Sequence, residues 1–260
     1  MQASFEHIAV SESGIIATIE VRRGPNNFID TDMVAEIADA LEEYDRTPTV
    51  RAIVLCAEGK HFCAGADFSS RGRDGVGKGA KRGRHLYKEA QRLWRTGKPI
   101  VAAVHGSAIG AGVGLAVMAD FRVTCPEARF SVNFTRLGFH PGFGVTASLP
   151  RLLGMQKAAW LMYTARRITG VEATALGLAD HCVPQDQVRA KAAEIATEIA
   201  QSAPLAIIST RETLRRGLAD AVAAATEREY EEQNWLRDTE DFREGIKAMA
   251  ERRLPDFNAR

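Results

Sequence analysis

Apolar and polar positions along this chain follow two rhythms, and the rhythm changes near residue 185. Residues 14–21 (GIIATIEV) predict a strand, closed by the turn-forming RRGPNN at 22–27. The spacing then becomes helical. Met33, Ile37, Ala40 or Leu41, and Tyr44 recur every three or four residues, and Asp30 or Thr31 stands ready to cap, which predicts a helix over 30–46. Residues 50–56, apart from Arg51 at the start, and 99–104 are continuous apolar runs of the kind found in strands covered on both faces, and a helix-forming stretch over 84–94 lies between them. Short strands follow at 121–125 and 129–132. Strands alternating with helices predict a parallel sheet built from right-handed β-α-β units. Beyond residue 185 only helical spacing remains, over 187–201, 204–216, 218–236 and 239–253. Thr239 is placed to cap the last of these, with Glu240 and Asp241 in the first turn, where the helix dipole favours negative charge. The expectation is an α/β core over 1–185 and a helical region over 186–260.

Composition narrows this picture without redirecting it. Of 260 residues, 45% are hydrophobic and 26% charged, so the chain can bury a substantial core. A formal net charge of +1 gives no global attraction for nucleic acid. The first ten residues lack the pattern of a secretory signal, and no apolar run approaches the ~20 residues that span a bilayer. Cys56, Cys63, Cys125 and Cys182 show neither paired nor metal-like spacing, which points to reduced thiols, a cytoplasmic setting and no metal. The Gly- and Arg-rich stretch 69–84 reads as a mobile loop that includes Arg71 and Arg73.

Chemistry concentrates in two glycine- and alanine-rich segments, HFCAGADF at 61–68 and HGSAIGAGVGL at 105–115, each placed where a buried strand ends. In open α/β sheets ligands bind beyond the carboxyl ends of the strands. Small residues there let a ligand approach the backbone, and two N–H groups from separate loops could meet on one carbonyl oxygen. The alternative is that these glycines only ease tight turns. Gly110, Gly112 and Gly114 give G-x-G-x-G after a strand, but neither the third glycine at dinucleotide-fold spacing nor an acidic residue ~20 positions on is present. No phosphate-loop lysine motif and no G-x-S-x-G elbow occurs.

These two segments resemble the oxyanion-loop motifs of the crotonase (enoyl-CoA hydratase/isomerase) superfamily. The resemblance continues through ARFSVNFTRLGFHPGFGVTASLPRLLG, ARRITGVEATALGLADHCVP and TEDFREGIKAMAERRLPDF, and so runs over nearly the whole chain in order. It implies a spiral of ββα turns with a helical C-terminal trimerisation region, forming a homotrimer or dimer of trimers. It further implies an acyl-CoA thioester substrate with CoA entering and leaving as part of it, no separate cofactor, and oxyanion N–H groups on Ala66 and Ala111. Backbone near Ala64 would receive the adenine. Arg23 sits where the family often contacts CoA, and Arg252 or Arg253 could reach a neighbouring subunit's CoA. Asp67 either contacts CoA or caps the turn that follows it.

The resemblance breaks at the residues that move protons. Family hydratases place two glutamates at positions that here hold Gly114 and Phe134, and related isomerases and dehalogenases place a carboxylate where Gly142 stands. None of these residues can carry a proton. The nearest titratable group is His140, a candidate acid or base, or else a loop histidine bonded to backbone. His85 is either a solvated loop residue or a group folded over the acyl chain, while Phe134, Phe139 and Phe143 suggest an aromatic acyl pocket. The reading favours isomerisation, decarboxylation or C–C cleavage over hydration. Its rivals are a non-catalytic acyl-CoA binding protein and a serine peptidase, for which Ser107 has no evident partners.

Overall fold

The apolar runs AIVLCA and IVAAV become the centre of a sheet because every side chain in them is buried. In the computed structural model, which describes residues 5–66 and 85–260, six strands are ordered β1-β2-β3-β4-β6-β9. They are β1 (Ile8–Ser13), β2 (Ile16–Val21), β3 (Ala52–Ala57), β4 (Ile100–Val104), β6 (Phe121–Thr124) and β9 (His181–Cys182). β1 and β2 form an antiparallel hairpin, and every later neighbour is parallel, with Ile19 beside Leu55, Ile53 beside Ile100, and Val101 beside Phe121. The expected strand over 14–21 therefore starts at Ile16, and residues 14–15 form the hairpin turn. β1 escaped the pattern because it is an edge strand: of IAVSES only Ile8 is buried.

A smaller sheet holds β5 (Ser107–Ile109), β7 (Arg129–Ser131) and β8 (Ile168–Thr169). Successive passages through both sheets end in a helix: β4 and β5 lead to α3 (Ala111–Val117), while β6 and β7 lead to a short 3-10 turn at Thr135–Leu137. This is the ββα spiral that the resemblance implies. Helix α1 (Thr31–Arg46) starts at Asp30, whose side chain accepts from Met33 N at 2.9 Å, and packs on β1, β2 and α2 (Leu86–Leu93). Helices α4 (Val145–Leu153), α5 (Met155–Thr164) and α6 (Gly170–Leu176) precede the C-terminal series.

That series is α7 (Val188–Ala200), α8 (Pro204–Leu214), α9 (Leu218–Leu236) and α10 (Glu240–Glu251), capped by Thr239 as its sequence predicts. The four helices play different parts. α7 lies across β2, β3, β4 and β6 and completes the cover of the main sheet, so the core draws on residues past 185. α8 is tied down by Arg211, which bonds Asp120 at 2.8 Å, while Asp120 also accepts from Ile100 N. α9 packs on α2 and α4, and α10 packs on the 135–137 turn.

Candidate active site

Two backbone hydrogen bonds join the two glycine-rich segments directly, and three more tie them to their surroundings. Cys63 N donates to Ser107 O (2.9 Å) and Ile109 N returns a bond to Cys63 O (3.0 Å). Ile29 N donates to Gly65 O (2.8 Å), Ala64 N to Asn26 O (3.1 Å), and Gly110 N to Ser131 O (2.8 Å). The approach is close enough to require glycine. A Cβ on Gly112 would overlap the carbonyl of Cys63, one on Gly106 the carbonyl of Lys60, and one on Gly65 would lie 2.7 Å from Ile109 O. Buried Asn27 anchors the first segment by donating to the carbonyls of Glu58 (2.8 Å) and His61 (2.7 Å).

Ala64, Ala66 and Ala111 line one cavity of about 450 Å³. No described residue accepts a hydrogen bond from the backbone N–H of Ala66 or Ala111. Cys63 beneath them is not a nucleophile: burial pushes its thiol up to about 12. His61, also in the lining, is held below the usual histidine value by burial first and then by Lys60, His105 and Arg167.

The same cavity is walled by Phe134, Leu137, Phe139 and Met249. Phe134 and Phe139 meet edge-on at 5.4 Å, and Phe139 meets Phe242 in the same way at 5.4 Å. A side chain at position 114 has no room, because a Cβ there would stand 2.6 Å from the ring of fully buried Phe143. Position 142 is filled in another fashion: its Cβ would run into the hydroxyl of Tyr87 and the amide of Gln233. The Tyr87 hydroxyl donates to Gln233 Oε1 at 2.9 Å, and Gln233 Nε2 donates to the carbonyl of His140 at 2.8 Å. Burial, with Glu229 nearby, raises the tyrosine above its ordinary pKa, so the phenol stays neutral. Arg237 Nη2 donates to the same Gln233 oxygen at 3.0 Å. His85 lines the cavity while its Nδ1 accepts from Tyr87 N, capping α2, and burial together with Arg237 and Lys88 lowers its pKa.

The structure therefore gathers Ala64, Ala66, Ala111, His85, Phe134 and Phe139, and leaves others apart: Phe143 is fully buried in the core and does not line the cavity. His140 does not line this cavity. Its Nδ1 lies 2.7 Å from Pro141 O, and it borders a second cavity together with Thr135, Met162 and Tyr163. The guanidinium of Arg23 is engaged by Phe28 O and Asp30, both at 2.6 Å, and stabilises the start of α1. Arg253 is paired with Glu244 and Glu251, whereas Arg252 is exposed in a left-handed C-cap with φ +56. Asp67, Arg71, Arg73 and the whole 69–84 loop lie outside the described residues.

Sequence reading missed Tyr87, Gln233 and Arg237. One signal was present on α9: Val222, Thr226, Glu229, Gln233 and Arg237 recur at helical spacing, so the buried face of that helix becomes polar along its length. Glu229, fully buried, accepts from Gly144 N, Thr146 N and Thr146 Oγ1 and thereby fixes the start of α4 beside the cavity. Among the described residues no three His, Cys, Asp or Glu side chains converge as metal ligands would, and no helix is long and apolar enough to cross a membrane.

Comparison with known proteins agrees with this architecture. A short-chain-enoyl-CoA hydratase of Clostridium acetobutylicum is 32% identical over 249 residues, covering 95% of each chain. A 2,3-dehydroadipyl-CoA hydratase of Escherichia coli is 30% identical over 243 residues, covering 92% of this chain and 93% of that one. The crystal structure of an enoyl-CoA hydratase/isomerase from Pseudoalteromonas atlantica superposes with a TM-score of 0.87 at 26% identity, over 97% of this chain and all of the other. The family model for enoyl-CoA hydratase/isomerase matches residues 11–260, and the chain belongs to that family.

Proposed function

We propose that this protein binds an acyl-CoA thioester with its carbonyl oxygen between the N–H groups of Ala66 and Ala111, and works through the enolate or tetrahedral anion that those donors stabilise. The observation that carries the reading is that Ala66 and Ala111, whose N–H groups have no acceptor among the described residues, line one cavity and sit on loops tied by backbone bonds. CoA would enter along Ala64, and no further cofactor is needed. Hydration by a glutamate pair is disfavoured, because no Asp or Glu lines the cavity among the described residues and Phe143 occupies the space beside Gly114. Of isomerisation, decarboxylation and C–C cleavage, the last two fit best, since the bond that breaks supplies the enolate's electron pair, whereas isomerisation needs a base to remove a proton and return it. His140 enters this scheme by holding Gln233 through its carbonyl, a positioning part.

The same lack of carboxylates favours a second reading, a non-catalytic acyl-CoA binding protein. A mass-spectrometric screen of crotonyl, 3-enoyl, malonyl-type and aromatic CoA thioesters separates the two. Conversion of one of them supports the enzyme, whereas binding without conversion across the panel supports the binding protein. We further propose that the chain assembles as a trimer or dimer of trimers through the region after 186, aided by α5. Leu205, Leu214 and Tyr163 present 80%, 71% and 80% of their surface to solvent, which is costly for a lone chain. Light scattering on the purified protein would give the mass directly, and a monomer would overturn this.

A further inference from the structure

Where α9 meets the cavity, a positive charge has no matching negative one among the described residues. Arg237 lines the cavity, and its Nε is buried with no hydrogen-bond partner. Its Nη2 bonds only the neutral oxygen of Gln233, and its guanidinium carbon lies 5.9 Å over the ring of Phe139. A guanidinium cannot shed its proton in a protein, and leaving one half-buried against aromatic rings is costly unless an anion meets it. The carboxylate of Glu229, two turns earlier on α9, is already taken by three donors from residues 144 and 146. Gln233 is itself fixed, with its oxygen held by Tyr87 and its amide by the carbonyl of His140, so the guanidinium it supports is held in place.

We infer that Arg237 is a carboxylate-recognition residue, and that the acyl group bound here carries a carboxylate remote from its thioester. This rests on the acyl-CoA reading above and names the substrate class for that site. CoA phosphates are the rival anion, but a separate basic group serves them better. Lys60, His105 and Arg167 all act electrostatically on His61, next to the loop that leads to Ala64, and Arg167 lines the cavity while exposed to solvent. Arg237 belongs instead with His85 and Tyr87. A carboxylate paired to a guanidinium is stabilised as the anion, so it acts as a handle that orients the acyl chain and is retained through the reaction.

The test is calorimetric titration of the full-length protein with free CoA, with butyryl- and pentanoyl-CoA, and with their carboxylated counterparts succinyl- and glutaryl-CoA. Wild type is expected to bind a carboxylated ester about 10- to 100-fold tighter than its neutral partner, the range of a charge-assisted hydrogen bond. Arg237→Gln should abolish that preference and leave the Kd of neutral esters and free CoA unchanged, while Arg237→Lys should keep part of it. Equal binding of neutral and carboxylated esters by wild type overturns the inference and leaves the acyl-CoA reading standing. So does a parallel loss of free CoA binding in Arg237→Gln, which would assign the residue to the phosphates. Failure of wild type to bind any CoA compound overturns both.

Discussion

The two ends of the cavity are built from different materials. At the end beside Ala64, taken as the outer one because CoA is proposed to enter there, the proposed functional groups are backbone N–H donors, positioned by short loops that are zipped together and permitted by Gly65, Gly106 and Gly112. At the inner end they are side chains, Tyr87 from α2 and Gln233 and Arg237 from α9, set against an aromatic wall from residues 134–139. The first arrangement suits chemistry that is the same for every thioester, since a carbonyl oxygen needs only two donors at a fixed spacing. The second suits choice among acyl groups, because a side chain can be exchanged without moving the backbone.

The sharpest way to break this division is Gly112→Ala. The new methyl would meet a backbone carbonyl that cannot swing aside, so a stability loss of about 3 kcal/mol is expected in urea denaturation. Affinity for every CoA ester should fall together, by about tenfold or more. If only some acyl groups were affected, the two ends would not be separable. Next comes Gly114→Glu, which restores a carboxylate at a hydratase position yet drives it into Phe143. It should cost about 2 kcal/mol and yield no hydration of crotonyl-CoA. Combined with Phe143→Gly, the two changes should cost less than their sum, since the glycine removes both the collision and a phenylalanine at φ +65.

A milder probe is Tyr87→Phe, which removes the bond to Gln233. Stability should fall by about 1–2 kcal/mol. Selectivity among acyl groups should change as Gln233 and Arg237 loosen, with free CoA binding intact. The smallest effect is expected from His85. Its folded pKa is depressed by burial and by Arg237 and Lys88, so the unfolded chain takes up a proton more readily. The stability it contributes above pH 6.5 is lost as pH falls from there through the folded value. His85→Gln should flatten the pH dependence of the urea midpoint between pH 7 and 5, and an unchanged slope would remove His85 from that account.

The same division explains what the amino-acid order revealed. Central strands, α1, α9 and the cap of α10 were legible because each obeys local rules of burial, periodicity or capping. The outer end of the site was legible for a similar reason: glycines permitting close approach sit within two short contiguous segments. The inner end was not. Tyr87 and Gln233 are 146 residues apart and meet only through tertiary packing, and the polar stripe on α9 looks like a solvated face until α2 and α4 cover it. His140 drew notice as the nearest titratable residue in sequence, but the chain turns its ring towards Pro141 and offers the site only its carbonyl.

The position of α9 has a consequence for the order in which the protein comes into being. During synthesis the glycine loops leave the ribosome well before α9, and their zipper needs only residues up to Ser131. On the proposed reading, a nascent chain can thus hold a complete carbonyl-binding element while the groups assigned to the acyl tail on α9 are still being made. Discrimination is the last property the growing chain acquires.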